Sequence, residues 1–372
     1  MTSLLAIIPK RTISGGNIEI SRFLEAASQN GAACTVEYFF PSNLSGTHAF
    51  FLFPYFLLRI LYVILVTKPQ LLLLTHYTNF YLALFPFRSA IVLFLQGPEW
   101  LFPSPFRCIQ ILSIAIHSFI FKYVDSFFVG SSYLLHEMQS TFPVAYQKHH
   151  ASGTIIYYPV GDDSCMYSSS IVSREPSQPR DIDLILILRN GWLKNYPAYI
   201  QVLKCLLLRK NRRQPSVVIV NLSSYSLPLN ISQSPMVRVV ERMSQSELFS
   251  LFLRAKTYLS LSLYEGLGLP PLEAMSLGVV PIVLDNGGVH CYLNDFENLI
   301  LPANCCHSSI SNAITGLIDL PPPIISQLSA ELAEKAQQYF SVSRATRKKA
   351  ISSFFRGFQE KRLASHFFPA DS

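Results

Sequence analysis

The sequence predicts an α/β chain built from two doubly wound domains, and three observations carry this. Short apolar runs recur in two series and alternate with helix-compatible segments. The runs are apolar throughout, the pattern of parallel strands covered on both faces. One stretch rich in Ser, Pro and Asp, Gly161 to Arg180, lacks periodic apolar residues and separates the two series. A chain of 372 residues has length for two domains of ordinary size.

The first series is Leu4–Pro9, Thr35–Phe40, Leu71–Tyr77, Ala90–Gly97, Ser126–Ser131 and Thr154–Val160. The second is Ile182–Leu188, Ser216–Leu222, Val237–Val240, Thr257–Leu263, Val279–Leu284 and Asn298–Leu301. Each series makes one domain, with bounds near 1–165 and 175–340. Ser244-Gln245-Ser246-Glu247 reads as a capping box that opens the helix LFSLFLRA. Pro321-Pro322-Pro323 breaks the chain before two final helical segments. The last of these, about 341–366, is expected to pack back on the first domain, and Phe367 to Ser372 reads as a frayed tail.

Half of the residues are hydrophobic and 14% are charged, so large cores can form and disorder is disfavoured. The net charge of +7 favours anionic partners. Arg209-Lys210, Arg212-Arg213 and Arg347-Lys348-Lys349 are the basic clusters. No zinc-finger or RRM signature accompanies them, so phosphate ligands and a membrane surface are favoured over nucleic acid. The seven cysteines contain no C-x-x-C pair, and the adjacent Cys305-Cys306 suits neither a zinc site nor a usual disulfide. Reduced thiols in a cytoplasmic protein are expected. The start, MTSLLAIIPKR, has no basic region ahead of its short apolar run, unlike a signal peptide.

Ala49 to Val66 is long enough to approach a membrane span, but Arg59 sits in its middle. Three readings are open: a buried helix, a span, or a helix in the membrane interface with Arg59 snorkelling to headgroups. A second apolar run, Ile109 to Phe121, contains His117 and reads as a core helix.

The most informative stretch is SLYEGLGLPPLEAMSLGVVPIVLDNGG, Ser262 to Gly288. Seven residues separate Glu265 from Glu273, around a Gly-rich turn that contains Pro270-Pro271. Proline suits the first turn of the helix that follows. Glycines let backbone N–H groups approach an anion, and a helix N-terminus adds partial positive charge. Carboxylates beside them suit hydroxyl groups. Together these features fit a ligand that carries both phosphate and sugar.

With Gly266, Gly268, Glu273-Ala274-Met275, Gly278 and Gly287-Gly288 in register, the segment resembles the family-four retaining glycosyltransferases. The resemblance implies a GT-B fold: two Rossmann-like domains facing an interdomain cleft. It implies that Glu265 lies against the transferred sugar and that Glu273 binds the nucleotide ribose. Backbone amides of Gly266, Leu267, Gly268 and Leu269 would cover sugar and phosphates. Gly15-Gly16, after the first strand, would form a tight turn against the diphosphate.

Arg189 and Lys194 lie where the first strand of the second series turns into a helix, the edge where such sheets bind ligands. They would hold the leaving diphosphate. The family pattern has glycines before this Arg and after this Lys; here Leu188 and Asn195 stand instead. Relatives also place a histidine at the position of Gln96. Gln96 and Glu99 match a Gln-x-x-Glu arrangement similar to that of rhamnosyltransferases. Glutamine can hold hydroxyls but is no general base. His76 is a second candidate near the sugar.

Asp181-Ile-Asp183 matches a bare D-x-D metal motif, but it precedes a strand instead of following one, so no metal or other cofactor is expected. The resemblance implies transfer of a hexosyl or deoxyhexosyl group, with retention, from a nucleotide-diphosphate sugar to a glycan or lipid-linked acceptor. Such an enzyme would serve cell-surface polysaccharide or glycolipid synthesis, as a cytoplasmic or peripheral membrane protein. A non-catalytic sugar-binding or scaffold protein on the same fold is the alternative, and an epimerase or phosphorylase is a more distant one.

Overall fold

The computed structural model describes residues 2–10, 15–40, 46–75, 80–97, 100, 106–161, 180–208, 214–223, 225–241 and 243–367. His76, Glu99, the Arg209–Arg213 cluster and most of the segment 161–180 therefore lie outside the described residues. The chain divides into two compact units. Met1–Val160 with Ser343–Ser372 forms one, and Gly161–Val342 the other.

The first unit holds β1 (Thr2–Lys10), α1 (Gly15–Gln29), β2 (Ala32–Phe40), α2 (Gly46–Thr67), β3 (Leu71–Leu74) and β4 (Ala90–Leu95). It continues with α3 (Arg107–Ile120), β5 (Ser126–Val129), α4 (Ser132–Thr141), α5 (Pro143–Ala151) and β6 (Ile155–Tyr157). The strands form a parallel six-stranded sheet in the order β2-β1-β3-β4-β5-β6. Side chains alternate across it. Leu93, Leu95, Phe127 and Val129 enter a core cluster with Leu5, Ile7, Leu72 and Leu74. Phe94 and Phe128 point the other way and pack with Phe23 of α1 and with Tyr158.

The second unit holds β7 (Ile182–Leu188), α6 (Tyr196–Leu207), β8 (Val217–Asn221), α7 (Leu229–Ser232), β9 (Val237–Val240) and α8 (Gln245–Arg254). Then come β10 (Ala255–Ser260), α9 (Leu269–Ser276), β11 (Val280–Leu284), α10 (His290–Leu293), β12 (Ile300–Leu301) and α11 (His307–Ile318). Its parallel sheet runs β12-β11-β10-β7-β8-β9. Read from the other edge, this is the strand order of dinucleotide-binding sheets. Its topological switch point lies between β7 and β10. The Ser244 box forms as the sequence predicts. The Glu247 N–H donates to Ser244 Oγ at 3.3 Å, and the Ser244 N–H donates to Glu247 Oε2 at 2.6 Å.

Several expectations change. The two final helical segments are a single helix, α12 (Pro322–Phe367). No Gly or Pro interrupts it between Pro323 and Gly357. Its residues from Ser343 onward belong to the first unit. There Ile351 and Phe355 are buried, and Phe354 packs on Phe128 at 5.1 Å. Arg347 is no free phosphate cation: it is buried and donates to the Pro159 carbonyl at 3.1 Å, with Glu19 at 4.0 Å.

The run Ala49–Val66 forms α2, which packs on the sheet through Ile60 and Ile64. Arg59 does not snorkel: it reaches Glu37 at 3.4 Å and the carbonyl of Tyr38 on β2. Among the described residues no helix is long and apolar enough to cross a membrane. The run Ile109–Phe121 is a helix, but not a core helix, because Ile109, Ile111, Leu112, Ile116 and Phe119 are exposed.

Candidate active site

Lys194 and Glu265, 71 positions apart in sequence, meet at the C-terminal edge of the second sheet. The meeting follows from strand order: β7 and β10 are neighbours, and the segment after each one carries one partner. β7 is buried over its whole length and ends at Leu188, which delivers Arg189 half-buried at the edge. A short turn follows. Gly191 has φ 109°, in the left-handed region, and Trp192–Lys194 forms one 3₁₀ turn. Asn195, standing where the family pattern has glycine, adopts φ 53° and ψ 42°. Asparagine tolerates this left-handed conformation better than most residues. Asn195 thus holds a left-handed position without glycine, and Pro197 then sits in the first turn of α6.

Leu263 donates to the Leu193 carbonyl at 2.8 Å, which ties the two loops together. Lys194 Nζ lies 2.5 Å from Glu265 Oε1, both side chains being largely covered. Burial pushes the Glu265 carboxyl up, but Lys194, a Ser262 hydrogen bond and the charge of Arg189 outweigh it. Its net shift is below the usual value, so it stays ionised. Beneath this group, burial pushes the Tyr199 phenol up to about 12, which keeps it neutral. Its oxygen accepts from the Leu261 N–H at 2.9 Å and so holds the end of β10.

The Gly-rich turn is shaped by close backbone approach. Glu265 bridges to Gly287, and its N–H donates to the Asn286 carbonyl at 3.2 Å. Gly268 has φ 83°, and its carbonyl accepts from Tyr292 at 2.9 Å. α9 begins at Leu269 with both prolines in its first turn, as the sequence predicts. Pro270 and Pro271 have no N–H, so the unpaired donors that this helix start can offer an anion are those of Gly268 and Leu269. Glu273 lies further along α9, buried at 9% exposure.

Asn286 is a residue that sequence reasoning missed. Its Oδ1 accepts from the Val289 N–H at 3.3 Å, while its buried Nδ2 has no partner among the described residues. Trp192 Nε1, in the loop between Arg189 and Lys194, is likewise a buried donor without a partner. Only the position of Asn286 just before Gly287-Gly288 could have marked it from sequence.

Gly15 and Gly16 form the first turn of α1 and not a turn ahead of it. Gln96, half-buried, directly follows β4. Both places are at the C-terminal edge of the first sheet, the ligand-binding edge of such folds. Asp181 and Asp183 lie at the opposite edge of the second sheet from Arg189. Asp181 pairs with Arg254, and buried Asp183 pairs with Lys256 at 2.8 Å. No cluster of three His, Cys, Asp or Glu suited to a metal occurs among the described residues.

Residues 176–339 match the family model of the glycosyl transferases group 1. A stretch of 47 residues is 53% identical to candidate glycosyltransferase 41 of Sulfolobus islandicus filamentous virus, covering 13% of this chain and 14% of that protein. Another of 130 residues is 24% identical to candidate glycosyltransferase ORF330 of Acidianus filamentous virus 2, covering 32% and 38%. The chain thus aligns with well under half the length of either viral relative.

Among solved structures, sucrose-phosphate synthase from Thermosynechococcus elongatus is similar at TM-score 0.69 and 14% identity, with 98% of this chain and 100% of that one covered. An α,α-trehalose 6-phosphate synthase from Burkholderia multivorans is similar at TM-score 0.65 and 11% identity, with 100% and 99% covered. At such identities the likeness speaks for the fold: two parallel sheets with helices, in the GT-B arrangement. Residues 176–339 are thus similar to the glycosyl transferases group 1, on a chain whose fold is that of the GT-B proteins.

Proposed function

We propose that the protein transfers a hexosyl or deoxyhexosyl group, with retention, from a nucleotide-diphosphate sugar to a glycan or lipid-linked acceptor. The observation that carries this is the gathering of Lys194, Arg189 and Glu265 beside the first turn of α9, at the switch point of the second sheet. In this reading Arg189 and Lys194 hold the diphosphate, and Glu273 accepts from the ribose hydroxyls. The amides of Gly266 to Leu269 cover the phosphates and sugar. Lys194 leaves Glu265 for the incoming phosphate, which frees that carboxylate for a sugar hydroxyl.

As the bond to the sugar breaks, negative charge grows on the diphosphate, and the two cations stabilise it most there. The acceptor hydroxyl attacks from the same face and passes its proton to the departing phosphate. No protein base is then required, so Gln96 in place of histidine is compatible with turnover. In this reading Gly15-Gly16 would meet the diphosphate and Gln96 the donor sugar. The reaction needs no metal, and it would serve surface polysaccharide or glycolipid synthesis from the cytoplasmic side.

The test is turnover of UDP-, GDP-, ADP- and dTDP-sugars, with the anomer of the product followed by NMR. Transfer with retention from at least one donor is expected, and it should survive EDTA. Arg189→Ala and Lys194→Ala should slow transfer more than they weaken binding of the nucleoside alone. Tight donor binding without turnover would favour the scaffold reading. An inverted product would overturn the mechanism.

A further inference from the structure

α3 is built inside out. Its buried side chains are Ser113, His117 and Ile120. Phe106, Ile109, Leu112, Ile116, Phe119 and Tyr123 are exposed at 38–65%. They recur every three or four residues, so they form one face of the helix and its flanks. A helix bathed in water has the reverse polarity. α2 repeats the pattern: Ile60 and Ile64 are buried, while Leu52, Tyr55, Leu58, Tyr62 and Leu65 are exposed at 42–68%. Both helices feed the same core cluster under one side of the first sheet. The segment between them links the two, with Phe53 on Tyr81 at 5.4 Å and Phe80 on His117 at 5.9 Å. Their apolar stripes therefore face away from the same side of that sheet.

Charge decides what such a face meets. Neither helix contains an Asp or a Glu, and from Pro41 to Val124 the sequence has five Lys or Arg against a single acid, Glu99. Arg107, Lys122 and Lys68 are exposed at the helix ends. We propose that the outer faces of α2 and α3 form a docking surface that lies on an anionic lipid bilayer. Apolar stripes of this length exceed the scattered exposed residues normal for a protein surface. They suit insertion to the depth of the headgroups. Tyr55, Tyr62 and Tyr123 have an apolar ring and a polar tip that fit this depth, and long basic side chains reach up from it. Anionic lipids attract the cations. A second copy of the chain would instead bring two basic faces together.

The test is flotation of the whole protein with vesicles of phosphatidylcholine and phosphatidylglycerol, and with phosphatidylcholine alone. Wild-type protein should float with the anionic vesicles at low salt and less with the neutral ones. The double variant Leu112→Glu/Ile116→Glu changes exposed positions only, and its melting temperature should stay near wild type. Its bound fraction should fall at least about tenfold. Arg107→Glu/Lys122→Glu should remove the salt-sensitive part of the binding. Absence of wild-type protein from anionic vesicles at low salt would overturn the proposal. So would unchanged flotation of both variants, or a dimer in sedimentation that Leu112→Glu/Ile116→Glu breaks while no vesicle binding occurs. Turnover of a water-soluble donor should be unaltered in these variants, so this surface and the transfer reaction fail or stand separately.

Discussion

Gly288 has no room for a side chain. A Cβ there would lie 2.7 Å from the Glu265 carbonyl oxygen and 2.8 Å from both N and Cα of Leu267. These are backbone atoms, so Gly288→Ala must push the loop carrying Glu265 away. A loss of about 1–3 kcal/mol in stability is expected, measured by denaturant unfolding. Donor affinity should fall with it. Glu273→Ala removes the proposed ribose acceptor. A charge-assisted hydrogen bond is worth about 1.5–3 kcal/mol, so nucleotide affinity should drop at least about tenfold in calorimetry. Glu265 has its folded pKa below the ordinary one, so its contribution to stability has a defined sign. The contribution is complete above the unfolded value of about 4.3 and is lost as pH falls through the lower folded value. The melting-temperature gap between wild type and Glu265→Gln should narrow below about pH 4. A gap that stays constant down to about pH 3 would deny the ion pair this role.

At the scale of the element, α3 keeps a histidine on its packed side. His117 Nδ1 lies 2.8 Å from the Ser113 carbonyl, and its ring meets Phe80 and Phe121 at 5.9 Å. Burial lowers its pKa more than the Ser113 carbonyl raises it. The unfolded chain takes up this proton first as pH falls below about 6.5, so stability declines there. Thermal melts between about pH 7 and 5 should show a shallower decline for His117→Leu than for wild type. His149 is also pushed down, chiefly by burial, and should account for part of the slope that remains. An equal slope in both proteins would mean that His117 is charged when folded.

On the scale of the whole molecule, the last residues of the chain complete the first unit. Ile351 and Phe355 are 1% exposed, and Phe354 covers Phe128 on the side of the first sheet opposite to α2 and α3. Each such side chain contributes about 1.5–3 kcal/mol when buried. A chain ending at Val342 should therefore leave the first unit unable to hold its sheet. Hydrogen exchange should show lost protection across β4 and β5, while β7 and β10 keep theirs. Full protection of β4 and β5 in the truncated chain would show that α12 is dispensable to this unit.

The sequence by itself determined the two six-stranded series, since a strand covered on both faces needs a continuous apolar run, and each of the twelve runs overlaps a strand. It also determined the local chemistry from Ser262 to Gly288, because glycine, proline and carboxylate act over neighbouring positions. The capping box and the start of α9 were legible for the same reason. Strand order was not legible, and strand order alone sets β10 beside β7 and so Glu265 against Lys194. The partners of Asp181, Asp183, Arg59 and Arg347 were equally hidden, because each lies on another element. The faces of α2 and α3 were hidden too. On α3 the pattern points the wrong way, because polar Ser113 and His117 lie on the packed side, and only the sheet beneath decides which residues each helix buries.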